Sequence, residues 1–380
     1  MAWHWIIFCI LAIFVFLEQL NGIRPKHARM VCMLFTLTFI FLSSIRWNQD
    51  VADWYGYFQI FSLLNINSIT DVFSVYWAFE PLHFFIICAI KYYTNSYILV
   101  QVYMAIIAIG LFYFGARYAT KIRKVGNKIY GTNHSIILAV YFVFWCTTFA
   151  NVYTVRTSMA VAICLFSLKC IEERKLKRFL TYIFVASLFH FSAIVFIPAY
   201  FLYYKKLNMK MVVFFMVVCI IVGTIGIDKI LSLAGFLGGR YAEKLLTYNV
   251  ENGVANLTYY SYSTTFLLAK ALANSAVVLL ICFLIRKRYK NNPRFTGMMN
   301  LYFTGVLIQL LTVSYNIEVS RIAIYYQTFQ YFLLSYSFTL FKHKDNKLLI
   351  YILLVIFMAV KMYSLYNREP GFSSFETIFS

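Results

Sequence analysis

Long apolar stretches separated by short polar ones run the length of the chain. They fall at residues 2–20, 29–45, 81–93, 96–116, 134–150, 156–171, 179–190, 191–204, 211–227, 262–285, 296–314, 321–341 and 348–366. Most approach the ~20 residues that an α-helix needs to cross a hydrocarbon core. Helices are required, because an open strand edge in hydrocarbon leaves backbone N–H and C=O groups unpaired. The pattern therefore predicts an all-α, polytopic integral membrane protein of about 12 transmembrane helices, with residues 1–380 as a single transmembrane domain. Three pieces are short for a full span. Segment 81–93 is either re-entrant or interfacial. Segments 179–190 and 191–204 meet at His190 and are either two short crossings or a broken helical pair. Trp3 to Leu20 has neither a basic leader nor a small-residue cleavage site, and reads as a retained first helix.

Composition strengthens this picture. Of the 380 residues, 62% are hydrophobic and 13% charged, so there is more apolar surface than a protein interior of this size can hide. Lipid must cover the rest. The chain carries 39 Phe, 31 Tyr and 6 Trp, and amphipathic rings suit the two membrane–water interfaces.

The net charge of +20 would point to nucleic acid in a soluble protein. Here the basic residues sit in short runs between apolar segments, which excludes that role and instead sets orientation. The runs are Arg24, Lys26, His27 and Arg29; Arg117, Lys121, Arg123, Lys124 and Lys128; Arg174, Lys175, Lys177 and Arg178; Lys205, Lys206 and Lys210; Arg286, Lys287, Arg288, Lys290 and Arg294; and Lys342, Lys344 and Lys347. All six are expected on the cytoplasmic side, against anionic headgroups. Loops 46–80, 151–155, 228–261 and 315–320 are then outside, and 228–261 has room for an amphipathic helix. Parity does not close at one step. Loop 46–80 is separated from the cluster at Arg117 by two apolar pieces, where an odd number of crossings is needed. The eight cysteines form no CxxC pair, so neither a zinc site nor a disulfide framework is expected.

Candidate chemistry gathers at the expected outer ends. Arg46 leaves the second apolar segment and is followed by Trp47, Asp50, Asp53, Trp54 and Tyr57. This is either an interfacial belt with a snorkelling arginine or a sugar-phosphate site. In the second case the guanidinium forks onto phosphate oxygens, Asp50 or Asp53 accepts a hydroxyl proton, and flat rings meet sugar faces. Glu80 and Pro81 open the next segment, as a helix cap would. Glu80 and His83 lie three apart, on one face. Arg156 begins a helix, where the dipole disfavours a cation, so it wants a carboxylate partner or an anionic ligand. His190 is isolated in an apolar setting, either satisfied by a neighbour or functional. Glu318 and Arg321, three apart, form either a local ion pair or part of the outer site. Arg46, Arg156 and Arg321 together would neutralise a diphosphate.

These residues resemble, in order, the pattern of the EpsG family of bacterial exopolysaccharide and O-antigen polymerases, which are Wzy-like. Arg46 leads to Asp53, Trp54 and Tyr57; Glu80-Pro81 opens the following segment; Arg156 begins a later helix; His190-Phe191-Ser192 sits in a short hairpin; and Ser320-Arg321 comes late. The likeness spans roughly residues 1–340. The family's usual Gly before the Asp is absent, which leaves Asp50 or Asp53 as its counterpart; the spacing to the aromatics favours Asp53.

The resemblance implies a GT-C-like membrane glycosyltransferase architecture in the bacterial inner membrane, with its site facing the periplasm or cell exterior. It implies transfer of a growing glycan from undecaprenyl diphosphate to the non-reducing end of a lipid-linked repeat unit. Arg156 and Arg321 would hold the diphosphate and Asp53 or Glu80 take the acceptor proton. His190 would assist, and Arg46 would pair with Asp53 or hold the second lipid's phosphate. The implied partners are the undecaprenyl-diphosphate-linked oligosaccharide, membrane lipids, a flippase and a chain-length regulator, with no cofactor, metal or nucleic acid. An O-antigen ligase is the nearest alternative. A lipid-linked oligosaccharide flippase or secondary transporter is the next, although its charges would be expected at mid-membrane.

Overall fold

A computed structural model of the protein describes residues 2–20, 22–47, 52–68, 70–71, 80–125, 128–130, 135–147, 155–225, 263–312, 320–340, 344–368 and 376–377. Loop 228–261, Asp50 and Glu318 lie outside these. Thirteen helices are labelled here: α1 Ala2–Leu20, α2 Pro25–Ile45, α3 Ala52–Leu63, α4 Pro81–Tyr93, α5 Tyr97–Thr120, α6 Ile137–Thr147, α7 Val155–Phe166, α8 Leu168–Glu172, α9 Leu176–Phe189, α10 Met209–Ile225, α11 Thr264–Ile285, α12 Pro293–Thr312 and α13 Lys344–Arg368. Among the described residues, five helices are long and apolar enough to cross a membrane: α2, α5, α11, α12 and α13.

The chain divides into two compact units, Met1–Tyr200 with Asn291–Arg294 and Tyr331–Ser380, and Phe201–Lys290 with Phe295–Gln330. In the first, α6 is buried on every side from Ile137 to Cys146, as expected of a helix that is apolar all round. Its aromatic face stacks Phe39 on Trp145 at 4.8 Å and Phe112 on Phe144 at 3.9 Å between centroids. The Tyr141 hydroxyl meets the Thr36 hydroxyl at 2.6 Å. The first turn of α6 is capped from another helix. Glu18 of α1 accepts from the Leu138 and Ala139 amides and from the Ser135 hydroxyl, at 3.2, 3.3 and 2.6 Å. A carboxylate there satisfies orphan N–H donors at the positive end of the dipole. Helices α5 and α7 approach closely at Gly115, where an added Cβ would sit 2.9 Å from Leu165.

A buried ion network closes one end of this unit. The Arg294 guanidinium forks onto Glu172, with Nε and Nη2 each 2.7 Å from a carboxylate oxygen, and Nη1 donates to the Ala119 and Lys121 carbonyls. The Tyr118 hydroxyl donates to Glu172 at 2.6 Å. Glu173 receives Arg123 at 2.9 Å and Lys175 at 2.7 Å. The second, third and fifth basic runs of the sequence therefore meet at one carboxylate pair. Arg123–Val125 and Lys128–Tyr130 form an antiparallel hairpin here.

Three features differ from the apolar pattern. The 46–80 stretch contains α3, whose Tyr57 and Phe61, one turn apart, are both buried. Segment 321–341 is a string of short turns, Arg321–Ala323, Ile324–Gln327, Gln330–Ser335 and Tyr336–Thr339. There, Thr328, Ser335, Ser337 and Thr339 hydroxyls bond back to carbonyls three or four residues earlier, competing with the helical ladder. Finally, Arg46–Trp47 pairs antiparallel with Glu376–Thr377, in the register Arg46 to Thr377 and Trp47 to Glu376.

In the second unit, Asn300 Nδ2 donates to the carbonyls of Leu202, Tyr203 and Lys205 at 3.1, 3.3 and 2.6 Å, which ties α12 to the chain entering α10.

Candidate active site

The end of the first unit away from the ion network carries the chemistry. Glu80 stands at the N-cap position of α4 with Pro81 following, but its side chain makes no capping bond. The carboxylate instead serves two long-range partners. Oε1 meets His190 Nδ1 at 2.5 Å, and Oε2 is ion-paired with Arg156 Nη1. The capping role that the sequence suggests for Glu80 is thus not filled by its side chain. Its residue exposure is 4%. Burial pushes the carboxyl's pKa up, but the His190 hydrogen bond and the Arg156 charge outweigh it and hold the group below its usual value.

His190 owes its position to a break in the helix. Its own N–H still bonds Ala186 at 2.9 Å, but its backbone is extended at φ −155°, ψ 115°. A tight 3-10 stretch, Phe191–Phe196, and a further turn, Ala199–Leu202, then run back along α9. Phe179, near the start of α9, packs against Phe196 and Tyr200 of the return arm. The pair is thus a broken helical hairpin with His190 at its apex. Its side chain is 27% exposed, and Nε2 has no hydrogen-bond partner among the described residues.

Arg156 lies in the first turn of α7, as the sequence indicates, and obtains the carboxylate partner that a cation at a helix N-terminus needs. A third of its side chain remains exposed, at 33%. Its guanidinium carbon lies 5.1 Å from the centre of the Tyr57 ring. Tyr57 is buried at 4%, so its ring is a floor for Arg156 and not an open platform for a sugar. His83, fully buried, meets Tyr57 edge to face at 5.5 Å between centroids, and its Nδ1 is hydrogen-bonded to the Tyr103 hydroxyl. His83 Nε2 has no partner among the described residues.

The site thus joins Glu80, Arg156, His190, Tyr57 and His83, all singled out in the sequence. Tyr103 is an addition. Nothing local marks it among 31 tyrosines; only the fold of α5 beside α4 brings it to His83. Asp53 is placed by its backbone in the first turn of α3, four residues before Tyr57, and Arg46 in the short ladder with Thr377. Arg321 begins a 3-10 turn in the second unit, half-buried. The pair it was expected to form with Glu318 lies outside the described residues.

A family model, that of the EpsG family, matches residues 29–377, nearly the whole chain and every residue of this site. The chain belongs to the EpsG family. No curated protein and no solved structure matches it. EpsG membership sets the helical frame and the Glu80 cluster in the context of polysaccharide-polymerase-like membrane proteins of glycosyltransferase type.

Proposed function

We propose that this EpsG protein is a polysaccharide polymerase. It transfers a growing glycan from undecaprenyl diphosphate to the non-reducing end of a lipid-linked repeat unit, at the outer leaflet of the bacterial inner membrane. The observation that carries the proposal is Glu80, which is bonded at once to Arg156 and His190 at the end of the first unit opposite its basic loops. A cation for a departing diphosphate and a proton acceptor for an attacking hydroxyl are thereby held side by side, as glycosyl transfer requires.

The placement supports a lipid substrate. From the start of α9, beside the ion network, to His190 is 14 helical residues, about 21 Å. Arg156 lies about 24 Å along α7 and α8 from Glu172. Both distances fall short of the ~30 Å hydrocarbon core. With the basic loops on the cytoplasmic side, the site is recessed a little below the outer boundary, at a depth a lipid diphosphate reaches. In this reading Arg156 binds the leaving diphosphate, Arg321 is a further diphosphate-binding residue proposed from the sequence alone, Asp53 lies at the acceptor side, and the helical frame is GT-C-like.

The test is synthesis. Protein in nanodiscs, given the diphosphate-linked repeat unit made by the same cell, should yield a product ladder spaced by one unit on gels and in mass spectra. Arg156→Ala and Arg321→Ala, each shown to be folded, should lose it. A folded wild type that yields no ladder refutes polymerisation. Transfer of whole glycan to another acceptor would mark a ligase, and lipid movement without new bonds a flippase.

A further inference from the structure

We infer that His190 is the proton acceptor in the transfer, with Glu80 as its positioning residue and not the base. This rests on the polymerase reading above and assigns the roles within that site. Both oxygens of Glu80 are engaged, one by His190 and one by Arg156, and the group is almost wholly enclosed. Each oxygen already accepts from one donor, and the lone pairs that remain are enclosed with the residue, which is only 4% exposed, and so are not open to a sugar hydroxyl. His190 has the opposite situation. Its Nδ1 is held by Glu80 at 2.5 Å, its Nε2 is unpartnered among the described residues, and its side chain stays 27% exposed at the apex of a broken hairpin. An Nδ1–H donated to a carboxylate fixes the tautomer whose Nε2 carries the lone pair.

The step balances within this cluster. The acceptor O–H bond breaks and its proton passes to Nε2. The acceptor oxygen forms a bond to the anomeric carbon of the donor glycan. The bond from that carbon to the phosphate oxygen breaks, and its electron pair leaves with the lipid diphosphate. Glu80, Arg156 and neutral His190 carry no net charge before the step. Protonation of His190 makes the cluster cationic as negative charge develops on the leaving group, so attraction to it strengthens in the transition state.

The charged and titratable groups facing His190 are Glu80 at the start of α4, His83 one turn along it, and Arg156 of α7. The deciding measurement is the pH dependence of kcat and KM for chain extension in nanodiscs, for wild type, His190→Gln and Glu80→Gln. His190→Gln should lower kcat by about 10²–10⁴-fold and abolish the acid limb that wild type shows. Glu80→Gln should keep that limb while lowering kcat, because the imidazole remains but loses the carboxylate that orients it. An acid limb that persists in His190→Gln and vanishes in Glu80→Gln would reverse the roles and overturn the inference. So would a His190→Gln kcat within about threefold of wild type, far below the range of general-base effects.

The positioning half has a readout that needs no activity. Nitrogen-15 NMR of labelled histidines should show His190 protonated at Nδ1 in wild type and an altered tautomer balance in Glu80→Gln. The same spectrum in both proteins would refute positioning. Absence of any ladder from wild type refutes the polymerase reading instead, and the two failures are thereby distinct.

Discussion

At the level of single residues, the site is one carboxylate shared between a cation and an imidazole, and its acid sensitivity follows. Glu80's folded carboxyl sits below its ordinary value of 4.5. Its contribution to stability is therefore complete above that value and is lost as pH falls through the lower folded value. Arg156→Gln removes a charge that holds the folded value down, so the gap to the unfolded value narrows and the stability lost on acidification should shrink. Thermal unfolding midpoints of wild type and variant, measured from pH 7 to well below pH 4, check this directly. Tyr57 gives a second prediction. As the ring beneath Arg156 it should tolerate Tyr57→Phe within about twofold in transfer rate, whereas Tyr57→Leu should cost roughly 3–30-fold. Glu80, Arg156 and His190 were legible in the sequence, because an ionisable group at the margin of an apolar segment is conspicuous. Their mutual pairing was not, since the partners lie 76 and 110 residues from Glu80. Glu18 and Glu172 were missed for the same reason: each is satisfied by a partner more than a hundred residues away.

At the level of elements, boundaries follow apolar length where a helix is apolar throughout. Thus α4 occupies the expected 81–93, and α11 differs from 262–285 by two residues. Where polar atoms compete for the backbone, as in 321–339, the apolar pattern overstates the regularity. The Glu172–Arg294 fork shows what such polar contacts contribute. The side chains are 3% and 0% exposed, so removing one leaves the other charged and enclosed. Glu172→Ala should destabilise the fold by about 3–5 kcal/mol, seen as a lowered unfolding midpoint in detergent. Activity per folded molecule should be unchanged, because the fork is about a helix length from His190. The ladder joining Arg46–Trp47 to Glu376–Thr377 is testable by its register. Paired residues of an antiparallel ladder have Cα atoms roughly 4.5–5.5 Å apart, within disulfide range. Trp47→Cys with Glu376→Cys should cross-link on oxidation in a Cys9→Ser background, Cys9 being the exposed native thiol. A single variant of either residue should not.

At the level of the whole molecule, the parity problem between loop 46–80 and the Arg117 run finds a solution in α4 and α5. The chain leaves the site along α4, turns at 94–96, and returns along α5. Tyr103, seven residues into α5, meets His83 near the start of α4. From Tyr103, α5 continues for another ~26 Å to Thr120, beside the ion network. The net passage from site to network is therefore made by α5 alone, and α4 is an excursion on the site's side. This arrangement makes one crossing where the sequence offers two apolar pieces. It predicts that Asn95, exposed at the turn, lies on the outer face with the site, and Lys177, exposed beside the network, on the cytoplasmic face. In intact cells a membrane-impermeant maleimide should label Asn95→Cys and spare Lys177→Cys until the membrane is opened. Labelling of neither before permeabilisation and both after would mean that α4 crosses. The recessed depth of the site would then have to be redrawn from α7 and α9, whose antiparallel run between Arg156, His190 and the ion network does not depend on α4.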